Sequence, residues 1–283
     1  MNSQARSVEA RGEAACAALE SRGFSLNIPE LKDRESVVRT IRDQASSCDL
    51  VVVGGGDGSL HVALQGLVGV TVPLGIIPLG TANDLASSLG IPSDIEAACE
   101  VIARGYTREI DVGRVNDVFF FNEMGIGISP TVSRLLEKDA KAKFGVIAAL
   151  PHAIGVMRKM RRFTVKITQG EEVTSLKTAQ LTIGNGRSYG GFIKNEDASL
   201  VDHKLDLYAL SLPNFWSYVM ALYAVARRRP NGAAGVTALQ GRSFDIWTRR
   251  PRPIEADGEI VSMTPAHVEI VPHAVRVFVP ATA

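Results

Sequence analysis

The chain has 283 residues, 46% hydrophobic and 22% charged, the make-up of an ordinary globular protein with enough length for a full core. A formal charge of +1 gives no global pull toward nucleic acid, so no nucleic-acid partner is expected. Cys16, Cys48 and Cys99 are widely scattered, form no CxxC pair, and read as reduced thiols of a cytoplasmic protein.

The opening stretch "MNSQARSVEARGEAAC" is polar and mixed in charge, so no cleavable signal is expected. "ARGEAACAALESRGF" reads as a helix closed by Gly23 as its C′ residue. A polar helix is expected near 36–46 and a strand over 50–53. Leu60, Ala63, Leu64 and Leu67 follow at i, i+3, i+4, i+7 spacing, one face of a buried helix. "VPLGIIPLG" reads as a second buried strand and "TANDLASSLG" as a short helix. Ile95, Ala98, Cys99 and Ile102 mark a further amphipathic helix. Strands alternating with helices imply a parallel wound sheet that binds ligands at the C-terminal ends of its strands.

From about Ile110 the pattern changes. "REIDVGRVNDVFFFNEMGIG" reads as a hairpin turning at Asn116-Asp117. A series of short strands from "FTVKITQG" to "AVRVFV" then marks a β-rich second domain. Helical insertions are expected over 141–162 and 214–229. The most apolar run, "FGVIAALPHAIGVM", is shorter than the roughly 20 residues a membrane span needs, and Pro151-His152 interrupts it. No transmembrane helix is expected.

The first chemistry-bearing motif is "LVVVGGGDGSLHVAL". A strand running through Gly54, Gly55 and Gly56 into Asp57, Gly58 and Ser59 and then a helix places backbone N–H groups where they favour an anion. The spelling matches neither the Walker loop nor the dinucleotide GxGxxG. Asp57 would repel phosphate unless a cation lies between them. It therefore reads as a direct or water-mediated partner of nucleotide-bound Mg2+.

Together, "GGGDGS", "PLGTANDLA", "IDVG", "FNEMGIG" and "DGE" resemble, in order and spacing, the diacylglycerol kinase catalytic-domain family. These are lipid kinases related to sphingosine kinases and more distantly to NAD kinases. The resemblance implies an N-terminal wound α/β nucleotide-binding domain over 1–109 and a C-terminal β-sandwich over 110–283. It also implies ATP as phosphoryl donor, Mg2+, and a lipid substrate met by peripheral contact at a membrane surface. In the second motif Gly80 permits a tight turn, and Thr81 can cap the following helix with its hydroxyl toward a phosphate. By resemblance Thr81 and Asn83 contact the nucleotide, while Asp84 is structural or linked to the metal. "EADGEIV" reads locally as a hairpin turn. The resemblance implies that it supplies the general base for the acceptor hydroxyl. Asp257 and Glu259 are both candidates, because a turn at Gly258 removes the guarantee that they share a face.

The chain also departs from the family pattern. Where these kinases carry an Asp-Gly-x-Leu segment tied to a structural Mg2+, Asp202 matches but His203 replaces the glycine. Main-chain carbonyls of Ser199 and Lys204 would complete such a site, and a plain surface loop is the competing reading, since histidine does not copy a glycine conformation freely. Asn2 matches the asparagine of the family's opening Asn-Pro-x-x-Gly, with Ser3 in place of proline. The two helical insertions put apolar stretches beside Arg158, Lys159, Arg161, Arg162 and Arg227–Arg229. They read either as core helices with solvated ends or as peripheral membrane contacts. An NAD kinase-like activity and a catalytically inactive nucleotide-binding regulator are the rival functions, and a homodimer is left open.

Overall fold

The computed structural model describes residues 3–127, 162–186, 188–189, 193–194, 199–211 and 235–281. The chain forms two compact units. One comprises Met1–Val112 with Pro272–Ala283, the other Gly113–Val271.

The first unit contains α1 (Ser3–Glu20), α2 (Arg34–Gln44), β1 (Val51–Gly55), α3 (Asp57–Leu67), β2 (Leu74–Pro78), α4 (Asp84–Ser88) and α5 (Ile95–Arg104). Asp33 caps α2 by accepting from the Ser36 N–H at 2.7 Å. Asp94 caps α5 by accepting from the Ala97 N–H at 3.0 Å. Each satisfies an amide that the first helical turn leaves without an intrahelical partner. β1 and β2 run parallel, from Val51 opposite Leu74 to Gly55 opposite Pro78. The last strand of the chain joins β2, also in parallel, at Val277. Ala15, Ala18 and Leu19 of α1 pack with Cys99, Val101 and Ile102 of α5 and with Ile77 and Leu79. Burial there pushes the Cys99 thiol above its ordinary range, as for an unreactive packed cysteine.

The second unit holds the rest. β3 (Thr107–Val115) enters it at Gly113 and turns at Asn116-Asp117 onto β4 (Val118–Phe120), with Asn116 at φ +50°. Then come β5 (Glu123–Ile126), β6 (Phe163–Gln169), β7 (Glu172–Thr178) and β8 (Gln180–Gly184). The short pair β9 (Ser188–Tyr189) and β10 (Ile193–Lys194) precedes β11 (Leu205–Leu210) and β12 (Val236–Gly241). β13 (Ser243–Thr248), β14 (Pro253–Ala256), β15 (Glu259–Met263) and β16 (Ala266–Phe278) complete the series, the end of β16 returning to the first unit. One sheet runs in the order β12-β11-β8-β5-β14-β15, each pair antiparallel. β16, β13, β6 and β7 pair antiparallel in a second sheet. Alternation along β6 buries Phe163, Val165 and Ile167, as the two-residue period of a strand with one covered face requires. Those side chains share one core with Phe244, Ile246, Leu181, Ile183, Leu205 and Leu207, drawn from both sheets.

The expected helices over 141–162 and 214–229 fall almost wholly outside the described residues, as do their basic clusters apart from Arg162, which lies just before β6. Among the described residues, no helix is long and apolar enough to cross a membrane.

Candidate functional site

In the first unit, α3 starts at Asp57 directly after the glycines. Its N-cap is Gly56, extended at φ −100° and ψ −172°, and no side chain caps it. The N–H groups of Ser59 and Leu60 both turn back to the Gly56 carbonyl, at 3.0 and 3.1 Å. A helix start of this kind favours negative charge. Gly54, Gly58 and Ser59 are exposed around it, while Gly55 is buried.

The second motif lies against the first. A Cβ on Gly80 would come 2.5 Å from the Cα of Gly56, and one on Gly56 would come 3.1 Å from the Cα of Gly80. The two loops thus meet backbone to backbone, which no residue with a side chain at position 80 permits. The Leu79 N–H donates to the Gly55 carbonyl at 3.0 Å, fixing the register of that approach.

Asn83 closes the second loop. It is buried and left-handed at φ +52°. Its Oδ1 accepts from the Gly80 N–H at 3.1 Å, and its Nδ2 donates to the Gly80 carbonyl at 2.9 Å. The amide expected to contact nucleotide is engaged with the loop itself, and its structural role is loop closure. Thr81 is exposed and does not cap α4. The left-handed turn delays the helix, so that Asn83 occupies the N-cap position. Asp57 Oδ1 accepts from the Leu85 N–H at 3.4 Å, tying the start of α3 to the first turn of α4, where Asp84 is half-buried.

Sequence reasoning passed over Arg11. Its Nη1 donates to the Leu79 carbonyl and its Nη2 to the Pro78 carbonyl, both at 3.1 Å. This puts a fixed cation beside the chain entering Gly80. On a helix such as α1, an arginine ordinarily reads as part of a solvated face, so nothing local marked it. The landmark "IDVG" also gains a role. Asp111 is fully buried and accepts from the His273 N–H at 2.9 Å, holding the last strand where it bends through His273 at φ +51°.

In the second unit, Asp257 and Gly258 form the two-residue turn between β14 and β15, at φ +47° and +91°. Paired positive φ angles are what an Asp-Gly hairpin turn supplies. The turn is also the hub of a hydrogen-bond cluster. The buried Asp257 carboxylate accepts from the N–H groups of Phe121, Asn122 and Glu123, at 2.8, 2.9 and 3.2 Å. The Asp257 N–H donates to the Glu123 carbonyl at 2.9 Å. Asn185, unremarked in the sequence reading, clamps the same segment from the other side. Its Nδ2 donates to the Phe121 carbonyl at 3.0 Å and its N–H to the Asn122 carbonyl at 2.7 Å. Glu259, the first residue of β15, is only half-buried. The two carboxylates therefore differ in kind, Asp257 committed to backbone and Glu259 partly open to solvent.

At the expected structural metal site, the Asp202 carboxylate accepts from the N–H groups of Ser199, at 3.4 Å, and Lys204, at 3.1 Å. His203 takes φ +58°, the conformation for which the family's glycine was expected. One carboxylate facing two amide N–H donors fits an Asx-type turn, not the six or more oxygens of a hard-cation site. Among the described residues, no group of three or more His, Cys, Asp or Glu side chains is placed to hold a metal ion. A Mg2+ carried in by nucleotide is a different case. An uncapped helix start beside a half-buried carboxylate, Asp57, matches a phosphate with its accompanying cation.

The diacylglycerol kinase catalytic domain model matches residues 1–115. The YegS C-terminal NAD kinase beta sandwich-like domain model matches residues 125–279. "Probable lipid kinase YegS" from Salmonella paratyphi A is 31% identical over 239 residues, covering 82% of this chain and 78% of the relative. "Uncharacterized protein sll0036" from Synechocystis sp. is 28% identical over 87% of this chain, and the match spans only 59% of that relative's length. A solved chain from Bacillus anthracis str. Sterne, titled as a diacylglycerol kinase, superposes with a TM-score of 0.73 at 22% identity. The match covers 94% of this chain and 89% of that one, and at that identity the likeness is one of fold.

Proposed function

Because the chain belongs to the diacylglycerol kinase catalytic-domain family, with a YegS-type C-terminal domain, we propose that it is an ATP-dependent lipid kinase. Its reaction would transfer the γ-phosphoryl group to the hydroxyl of diacylglycerol or a related lipid at a membrane surface. The observation that carries this reading is the backbone contact of Gly56 with Gly80. It brings the two motifs together at an uncapped helix start beside Asp57.

The geometry within each unit supports the following division of labour. The start of α3 receives the nucleotide phosphates, with Arg11 holding the neighbouring loop in place. Mg2+ held through Asp57 would offset the phosphate charge that Asp57 alone would repel. Thr81, exposed at the loop's tip, is free to bond a phosphate oxygen. In the second unit Glu259 is the general base. It takes the proton of the lipid hydroxyl as that oxygen bonds the γ-phosphorus, while the γ-phosphorus–oxygen bond to the β-phosphate breaks and its electron pair leaves with ADP. Asp257 acts through the turn, aligning Glu259 by anchoring the hairpin to residues 121–123.

Incubation with γ-labelled ATP and Mg2+, against a panel of lipids and NAD, tests the proposal. Label on a lipid hydroxyl is the expected result. Label on NAD would transfer the chain to an NAD kinase-like reading. ATP binding without transfer to any acceptor would make it an inactive nucleotide-binding protein.

A further inference from the structure

The edge of the six-stranded sheet carries a combination of side chains that the fold does not use. Among the described residues β15 ends that sheet, with β14 beside it. Ile260 and Met263 on β15 are 69% and 48% exposed. An exposed apolar sheet edge invites association unless something covers it. Immediately before β14 the chain reads Arg249-Arg250-Pro251-Arg252, with Arg249 and Arg250 exposed. This loop is fastened to the far end of β15. The Thr264 N–H donates to the Arg252 carbonyl, and the Arg252 N–H donates to Thr264 Oγ1, both at 2.9 Å. Pro253 pairs with Met263 in the ladder. Arg252 itself stacks over the Phe163 ring at 4.1 Å, which fixes the base of the loop.

We propose that this edge is a membrane-docking surface, with Ile260 and Met263 entering the bilayer interface and Arg249 and Arg250 meeting anionic lipid head groups. The inference rests on the lipid-kinase reading and adds the place of contact. Two features select a bilayer as the occupant. Arginines grouped next to exposed apolar side chains match an anionic interface, which attracts the charge and receives the apolar tips together. The edge is also continuous with the proposed base, since Glu259 opens β15 and Ile260 follows it. An acceptor hydroxyl sits at head-group depth, so a base on the docking strand reaches it without drawing the lipid far from the bilayer.

Co-sedimentation of the full chain with vesicles of phosphatidylcholine, alone or mixed with phosphatidylglycerol, tests this directly. Wild type is expected to bind the mixed vesicles, and less so as salt rises, since the attraction decays within a Debye length. Arg249→Gln with Arg250→Gln should weaken that binding roughly 30-fold, each basic side chain contributing on the order of 1 kcal/mol. Ile260→Ser with Met263→Ser should weaken binding to both vesicle types. All variants should keep the wild-type melting temperature and turnover on a short-chain, water-soluble diacylglycerol. Unchanged vesicle binding in both double variants would overturn the proposal. So would light scattering that shows a dimer dissociated by Ile260→Ser with Met263→Ser, because a second copy would then cover the edge. Turnover on the soluble substrate without wild-type vesicle binding would overturn the docking surface and leave the kinase reading standing. Vesicle binding lost as expected in both variants, without phosphorylation of any lipid, would uphold the surface and remove the kinase reading.

Discussion

Asp57 and Asp257 are both aspartates followed by glycine, the first opening α3 and the second in a hairpin turn, and their surroundings separate them. Asp57 accepts from the Leu85 N–H at 3.4 Å, and its proposed work depends on charge. Asp57→Asn keeps an oxygen to accept from Leu85 and loses the charge. It should keep the wild-type melting temperature and lose most phosphoryl transfer, as paired calorimetry and labelled-ATP assays would show. Asp257 is buried and faces three N–H donors with its two oxygens. An asparagine there would turn its NH2 group toward at least one of them and strand a buried donor, at a cost of about 1–3 kcal/mol. Asp257→Asn should therefore lower the melting temperature and the turnover together. A variant with wild-type stability would show that the Asp257 cluster does not hold the turn.

At the scale of elements, the joint between α1 and the rest of the first unit is open to test in two ways. Arg11 fastens α1 to the carbonyls that lead into Gly80. Arg11→Met should raise the KM for ATP about tenfold or more, with a smaller change in kcat, since two hydrogen bonds from a charged donor are lost. Arg11→Lys should recover part of the loss, because it restores charge without the two-pronged geometry. An unchanged KM for ATP would reduce Arg11 to packing. The second test concerns α5. Glu100 bonds Arg104 at 3.0 Å and Arg22 at 3.4 Å, and these partners, Arg104 first, hold its carboxyl below the usual carboxylate range. A folded-state pKa that is depressed contributes stability above the unfolded value, and that contribution is lost as pH falls through the folded one. The urea midpoint of wild type should thus fall toward acid pH slightly more steeply than that of Glu100→Gln. The difference should be small, because the pair is exposed. Parallel curves would show that the pair adds nothing.

For the whole molecule, what was legible in the sequence was what repeats locally. The helical face of Leu60, Ala63, Leu64 and Leu67 is buried as spaced, the Asn116-Asp117 turn joins β3 to β4, and β6 alternates as written. Local signals failed where distant segments decide the outcome. Nothing near Asp257 announces that its carboxylate binds amides more than 130 residues earlier. Nothing near Asn83 shows that its amide will close on Gly80 instead of facing outward. Arg11 looked like surface because its partners come from β2 and the loop after it. The motifs named the candidate residues, while the sorting of Asp257 from Glu259 needed the fold. That sorting is the centre of the account, and one measurement reaches it most directly. Single-turnover transfer from γ-labelled ATP to diacylglycerol would be compared between wild type and Glu259→Gln, with ATP affinity measured alongside. The expected result is a phosphorylated lipid from wild type, a rate about 10²–10⁴-fold lower in Glu259→Gln, and equal ATP affinity in both. Equal transfer rates, or no phosphorylated lipid from wild type, would contradict it.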